Sequence, residues 1–129
     1  MPVVITALYA GILALLLVVL SFRVAQRRLR FKIGVGTGNN PELERAVRVH
    51  GNFVEYVPFA LLLMGLYESV GAPAWAVHAA GITLVVARIL HAVGLTTSSG
   101  RTPGRFVGTT ATWLLIAVLG VANVVSFLR

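Results

Sequence analysis

Residues 3–22 form a near-unbroken apolar run with no charged side chain. As a helix, some twenty residues span about 30 Å, the thickness of a bilayer's hydrocarbon core. Inside a bilayer the backbone must satisfy its own hydrogen bonds, so a run like this commits the chain to membrane helices. Ahead of the run, Met1-Pro2-Val3-Val4-Ile5 lacks the basic start of a secretory signal. The expectation is a retained first helix.

The rest of the chain repeats the pattern. Arg23, Arg27, Arg28, Arg30 and Lys32 follow the first run, and Ile33-Gly34-Val35-Gly36-Thr37-Gly38-Asn39-Asn40-Pro41 reads as a loop. Its alternating glycines match neither nucleotide-binding fingerprint, and no strand precedes them. Asn40 suits a helix N-cap, Pro41 the first helical position, and Glu42 and Glu44 the positive end of the helix dipole. Spans are expected at about 3–22, 42–70, 74–93 and 105–128, within one domain covering residues 1–129. Pro58 predicts a kink in the second helix just beyond Glu55. Trp75 and His78 fall near one interface of the third span, and Tyr56, Tyr67 and Trp113 read as core or interface-belt aromatics. The fold class is all-α integral membrane, a four-transmembrane-helix bundle.

A chain that is 57% hydrophobic and 12% charged is too apolar for an ordinary soluble domain. The net charge of +7 lies at the borders of apolar runs, which is the positive-inside pattern and not a nucleic-acid face. Loops one and three carry the basic residues and are expected in the cytoplasm, with the termini outside. With no cysteine, disulfides, zinc-thiolate sites and a cysteine nucleophile are excluded. No metal is expected, and any thiol must arrive with a substrate.

The second helix carries the chemistry. At 100° per residue Arg45, Arg48, Asn52 and Glu55 share an arc of about 80°. A stripe so polar, leading into an apolar segment, has to face a bundle, a partner subunit or a polar ligand. Arg88, His91, Arg101 and Arg105 are expected near the same membrane side. Glu55 cannot neutralise so many arginines, and the surplus predicts an anionic guest gripped by guanidinium forks. The bland alternative is an ion network of Arg48, Asn52, Glu55 and Arg88 that fixes helix register.

Glu44-Arg45 followed by Arg48-x-His50-x-Asn52-x-x-Glu55-Tyr56-x-Pro58 resembles the helix-two signature of the MAPEG family, the membrane-associated proteins in eicosanoid and glutathione metabolism. Gly36-Thr37-Gly38-Asn39-Asn40-Pro41-Glu42-Leu43 and Phe59-Ala60-Leu61-Leu62-Leu63 look like its small bacterial branch. Ala87-Arg88-Ile89-Leu90-His91 is similar to the end of the family's third helix. The resemblance implies a homotrimer in a bacterial inner membrane, with glutathione as co-substrate bound between subunits. It implies a transferase or peroxidase acting on hydrophobic small molecules. By position, Arg48, His50, Asn52, Glu55, Tyr56, Arg88 and His91 would bind glutathione, and Arg101 or Arg105 would activate its thiol. Where several family enzymes place a tyrosine, one turn beyond His91, this chain has Leu95. That departure leaves a second reading open, a non-catalytic lipid- or glutathione-binding scaffold. A proton-driven drug exporter fits poorly, because it would need a carboxylate in the first span.

Overall fold

A computed structural model describes residues 2–97 and 102–129 as four helices: α1 (Val4–Phe31), α2 (Pro41–Ser69), α3 (Ala74–Thr97) and α4 (Pro103–Phe127). All four are long and apolar enough to cross a membrane, and the molecule is an all-α, four-helix membrane bundle.

The helices begin where the capping residues stand. Asn40 accepts from the Leu43 N–H at 3.0 Å with Pro41 at the first helical position, as expected of α2. Thr102 does the same for α4, accepting from Arg105 N–H at 3.3 Å ahead of Pro103. α1 runs on past residue 22 to Phe31, so Arg23, Arg27, Arg28 and Arg30 stand on helix and not in a loop. The cause is local: no glycine or proline intervenes before Gly34, and Arg, Leu and Gln are strong helix formers. The helix stops at Lys32, which turns left-handed (φ 55°), while the Arg28 guanidinium donates to the Ile33 and Gly36 carbonyls and closes the loop. α2 continues through Pro58 as one helix.

α1 has no capping side chain of its own. Glu68, near the end of α2, supplies one. Its two carboxylate oxygens accept from the Ile5 and Thr6 N–H groups at 2.8 and 2.7 Å. A buried carboxylate thus answers both the orphaned donors and the positive end of the α1 dipole. This is the charge the sequence places beside the turn between α2 and α3.

α2 touches each of the other helices, α3 packs closely on α4, and α1 reaches α2 and α3 but not α4. Leu13, Leu20, Phe53, Met64, Val77, Leu84 and Leu119 fill the core. At Gly81 an added Cβ would run into the Tyr9 ring, so the missing side chain lets α1 lie against α3 there. The Tyr9 hydroxyl then meets His78 Nδ1 at 2.9 Å. Asn123 of α4 donates to the Leu63 carbonyl of α2 at 2.9 Å, a polar tie inside the bundle. Large apolar side chains such as Leu15, Val18, Phe22, Trp113, Leu114 and Val118 face outward from α1 and α4. That is the surface a bilayer requires.

Candidate functional site: a buried guanidinium among neutral acceptors

Arg88 is the most unusual residue of the bundle. It sits in the middle of α3, only 1% exposed, and is the largest of the fully buried side chains. One terminal nitrogen donates to Asn52 Oδ1 of α2 at 2.6 Å and meets His91 Nδ1, one turn along α3, at 3.3 Å. The other reaches Thr112 Oγ1 of α4 at 3.5 Å. Among the described residues its Nε–H has no partner, and the guanidinium carbon stands 5.9 Å from the centre of the Phe53 ring.

Every one of these acceptors is neutral. A guanidinium offers five N–H donors and accepts nothing, so the His91 contact calls for a lone pair on Nδ1. Thr112 donates its own hydroxyl proton to the Gly108 carbonyl at 2.8 Å, which leaves its lone pairs for Arg88. Among the described residues no carboxylate is paired with Arg88. Glu42 holds Arg27 and Arg30 at 3.3 and 3.7 Å, and Glu55 pairs with Arg48 at 3.8 Å.

Three helices have to meet closely to build this cluster, and glycines allow it. A Cβ on Gly108 would collide with the Ala87 carbonyl and the His91 backbone nitrogen. One on Gly94 would strike the backbone nitrogen of Arg105, so the start of α4 lies directly against the end of α3.

The other sequence-predicted residues divide into groups. Arg48, Asn52, Glu55 and Tyr56 share a face of α2, with Arg48 and Glu55 forming their pair on the outer surface. Tyr56 packs its ring 6.4 Å from that of Trp113. Arg105 lies in the first turn of α4. His50 stands apart: two residues from Asn52, it is turned about 200° around α2. It meets Ser21 Oγ of α1 at 3.1 Å. Arg45 joins Arg23, Arg27 and Glu42 in a cleft between α1 and α2. Arg101 lies outside the described residues. Sequence reasoning missed Thr112 and Phe53. The run Gly108-Thr109-Thr110-Ala111-Thr112 was the available signal for the first, while Phe53 reads in sequence as one more core aromatic.

The sequence pattern of the MAPEG family matches residues 6–125. The chain is also 40% identical over 119 residues to the inner membrane protein YecN of Escherichia coli strain K12, covering 92% of this chain and 89% of the relative. The YecN of Escherichia coli O6:H1 strain CFT073 matches to the same extent. With the helix-two residues in place on a four-span bundle, this chain belongs to the MAPEG family.

Proposed function

We propose that the protein is a membrane-bound glutathione-dependent transferase or peroxidase for hydrophobic electrophiles, working as a homotrimer in a bacterial inner membrane. The observation that carries this reading is Arg88, a buried cation surrounded only by neutral acceptors. A charge in that setting costs several kcal/mol to hold, and a bound carboxylate offsets the cost. Glutathione brings two carboxylates and the thiol that this cysteine-free chain lacks.

Arg48, Asn52, Glu55 and Tyr56 would hold the peptide from α2, and Arg88 and His91 would close the pocket from α3. His50, on the opposite side of α2, would serve a site completed by a neighbouring subunit. A free thiol with a pKa near 8.5 is mostly protonated at neutral pH, and an adjacent guanidinium favours the thiolate. Arg105 would do that work, and the first turn of α4 adds the positive end of a helix dipole. Arg101 is the alternative. The thiolate sulfur attacks an electrophilic carbon dissolved in the lipid; a carbon–sulfur bond forms and the leaving group departs with its electron pair. Loops one and three then face the cytoplasm, where glutathione is met.

Calorimetric titration of glutathione into detergent-solubilised protein tests the binding half, and turnover of a dinitrohalobenzene tests the chemistry. Arg48→Ala is expected to weaken glutathione at least about tenfold, the loss of one charge-assisted hydrogen bond. Unchanged affinity in that variant would remove α2 from the site. One observation favours the scaffold reading: Leu95 is buried in the apolar core, where it offers no hydrogen bond to a sulfur. Glutathione binding with no turnover of any electrophile would decide for it.

A further inference from the structure

Arg88 is sealed inside the bundle, and that fixes what its neighbours can offer. It is 1% exposed, so a ligand outside the bundle does not touch the guanidinium. Its effect on a ligand passes through the side chains it holds. A guanidinium donates and never accepts, so each of those side chains has to turn an acceptor toward it. The Asn52 amide has one acceptor, Oδ1, and that oxygen takes the 2.6 Å bond. The amide NH2 is then turned away from the guanidinium, and among the described residues nothing accepts from it. His91 gives its Nδ1 lone pair at 3.3 Å, which leaves a neutral ring with its proton on Nε2. Thr112 offers no donor in this way, because its proton goes to the Gly108 carbonyl.

We propose that Arg88 is a positioning residue that fixes Asn52 and His91 as donors, so that this wall of the pocket takes a carboxylate or peptide carbonyl of the thiol and refuses its ammonium. The proposal rests on the glutathione reading above and assigns the polarity of its site. An asparagine amide presents donor or acceptor by turning half a revolution, and a charge-assisted bond, about twice as strong as a neutral one, removes that freedom. The nearest charges on α2 do not restore it. Arg48 and Glu55, one turn to either side of Asn52, are held by each other at 3.8 Å. A ligand carboxylate on the Asn52 NH2 stands one amide away from the buried cation. Its charge eases the burial of Arg88 without touching it.

The spectra of 15N-labelled asparagine and histidine, in full-length protein in detergent, report both orientations. Asn52→Asp and His91→Gln identify the two signals. His91 is expected as the Nε2–H tautomer in the wild type, and the Asn52 NH2 signal is expected to shift in Arg88→Lys and on adding glutathione. The Nδ1–H tautomer overturns the proposal, as does an Asn52 signal that Arg88→Lys leaves in place; neither result needs glutathione to bind. Calorimetry and thermal unfolding then read the polarity of the wall. Asn52→Asp keeps one oxygen for Arg88 and puts a second where the donors were. It should unfold at or above the wild-type temperature and bind glutathione at least about tenfold more weakly. Wild-type affinity in that variant overturns the proposal, because the wall would then accept and not donate. An unfolding temperature below that of the wild type overturns it too, since Arg88 would have gained nothing from the carboxylate. A wild type that binds no glutathione defeats the functional reading alone, and the two spectra still decide what Arg88 does to Asn52 and His91.

Discussion

Glu68 and Arg88 are both buried ionic side chains in an apolar bundle, and they are satisfied in opposite ways. The Glu68 carboxylate has two N–H donors and the end of a helix dipole, a complete set of partners within the chain. Glu68→Ala should therefore cost stability, about 1 kcal/mol by analogy with lost helix caps, and leave glutathione binding unaffected. Thermal unfolding in detergent beside calorimetry separates the two effects. Arg88 has partners but, among the described residues, no counter-charge, so its conservative variant should behave the other way. In Arg88→Lys a compact ammonium replaces the planar fork and cannot reach Asn52, His91 and Thr112 together. Glutathione affinity is expected to fall at least about tenfold, with a smaller change in unfolding temperature. A lysine variant with wild-type affinity would make Arg88 a packing residue.

Helix contacts set how far those side chains can move. At Gly108 an added methyl meets backbone atoms of Ala87 and His91, which cannot swing aside as a flexible side chain would. Gly108→Ala should push α4 off α3, lower stability by about 1–3 kcal/mol and weaken glutathione through Thr112 and His91. Gly11 is the contrast, because nothing lies within 4 Å of a Cβ built there. Gly11→Ala should leave binding alone and stabilise α1 by up to about 1 kcal/mol. If the two alanine variants unfold at the same temperature, close α3–α4 approach is not what holds the cluster. The same elements mark what a sequence can reveal. The four spans, the Asn40–Pro41 start and the shared face of Arg48, Asn52 and Glu55 follow from hydropathy, capping chemistry and a fixed angle per residue. The extension of α1 to Phe31 was missed because a run of arginines reads as a helix end, although arginine is itself a helix former. The Thr112 acceptor of Arg88 and the Glu68 cap were illegible for another reason: both join residues far apart in sequence, brought together only by packing. His50 sits inside the same motif and faces α1, where it meets Ser21, a direction that the angle per residue gives but the motif does not.

At the scale of the whole molecule, an exposed ion pair lies on the outer face of α2. Arg48 and Glu55 are paired at 3.8 Å with their side chains 55% and 53% exposed, and Val54, Phe59 and Leu62 surround them on the same helix. Lipid against those apolar neighbours would also touch the ion pair, at a cost of about 2.5–3.5 kcal/mol for each charge on insertion scales. A second copy of the chain, meeting the pair with polar groups, removes that conflict and would place glutathione where two subunits join. On the homotrimer proposed above, native mass spectrometry is expected to find three chains together. Glu55→Arg should shift the protein toward single chains and abolish glutathione binding in the same step, because two guanidiniums would then face the seam. A Glu55→Arg protein that kept its three-chain mass while losing glutathione would confine Glu55 to the ligand. One that kept both would leave this face to the membrane, and the shared site with it.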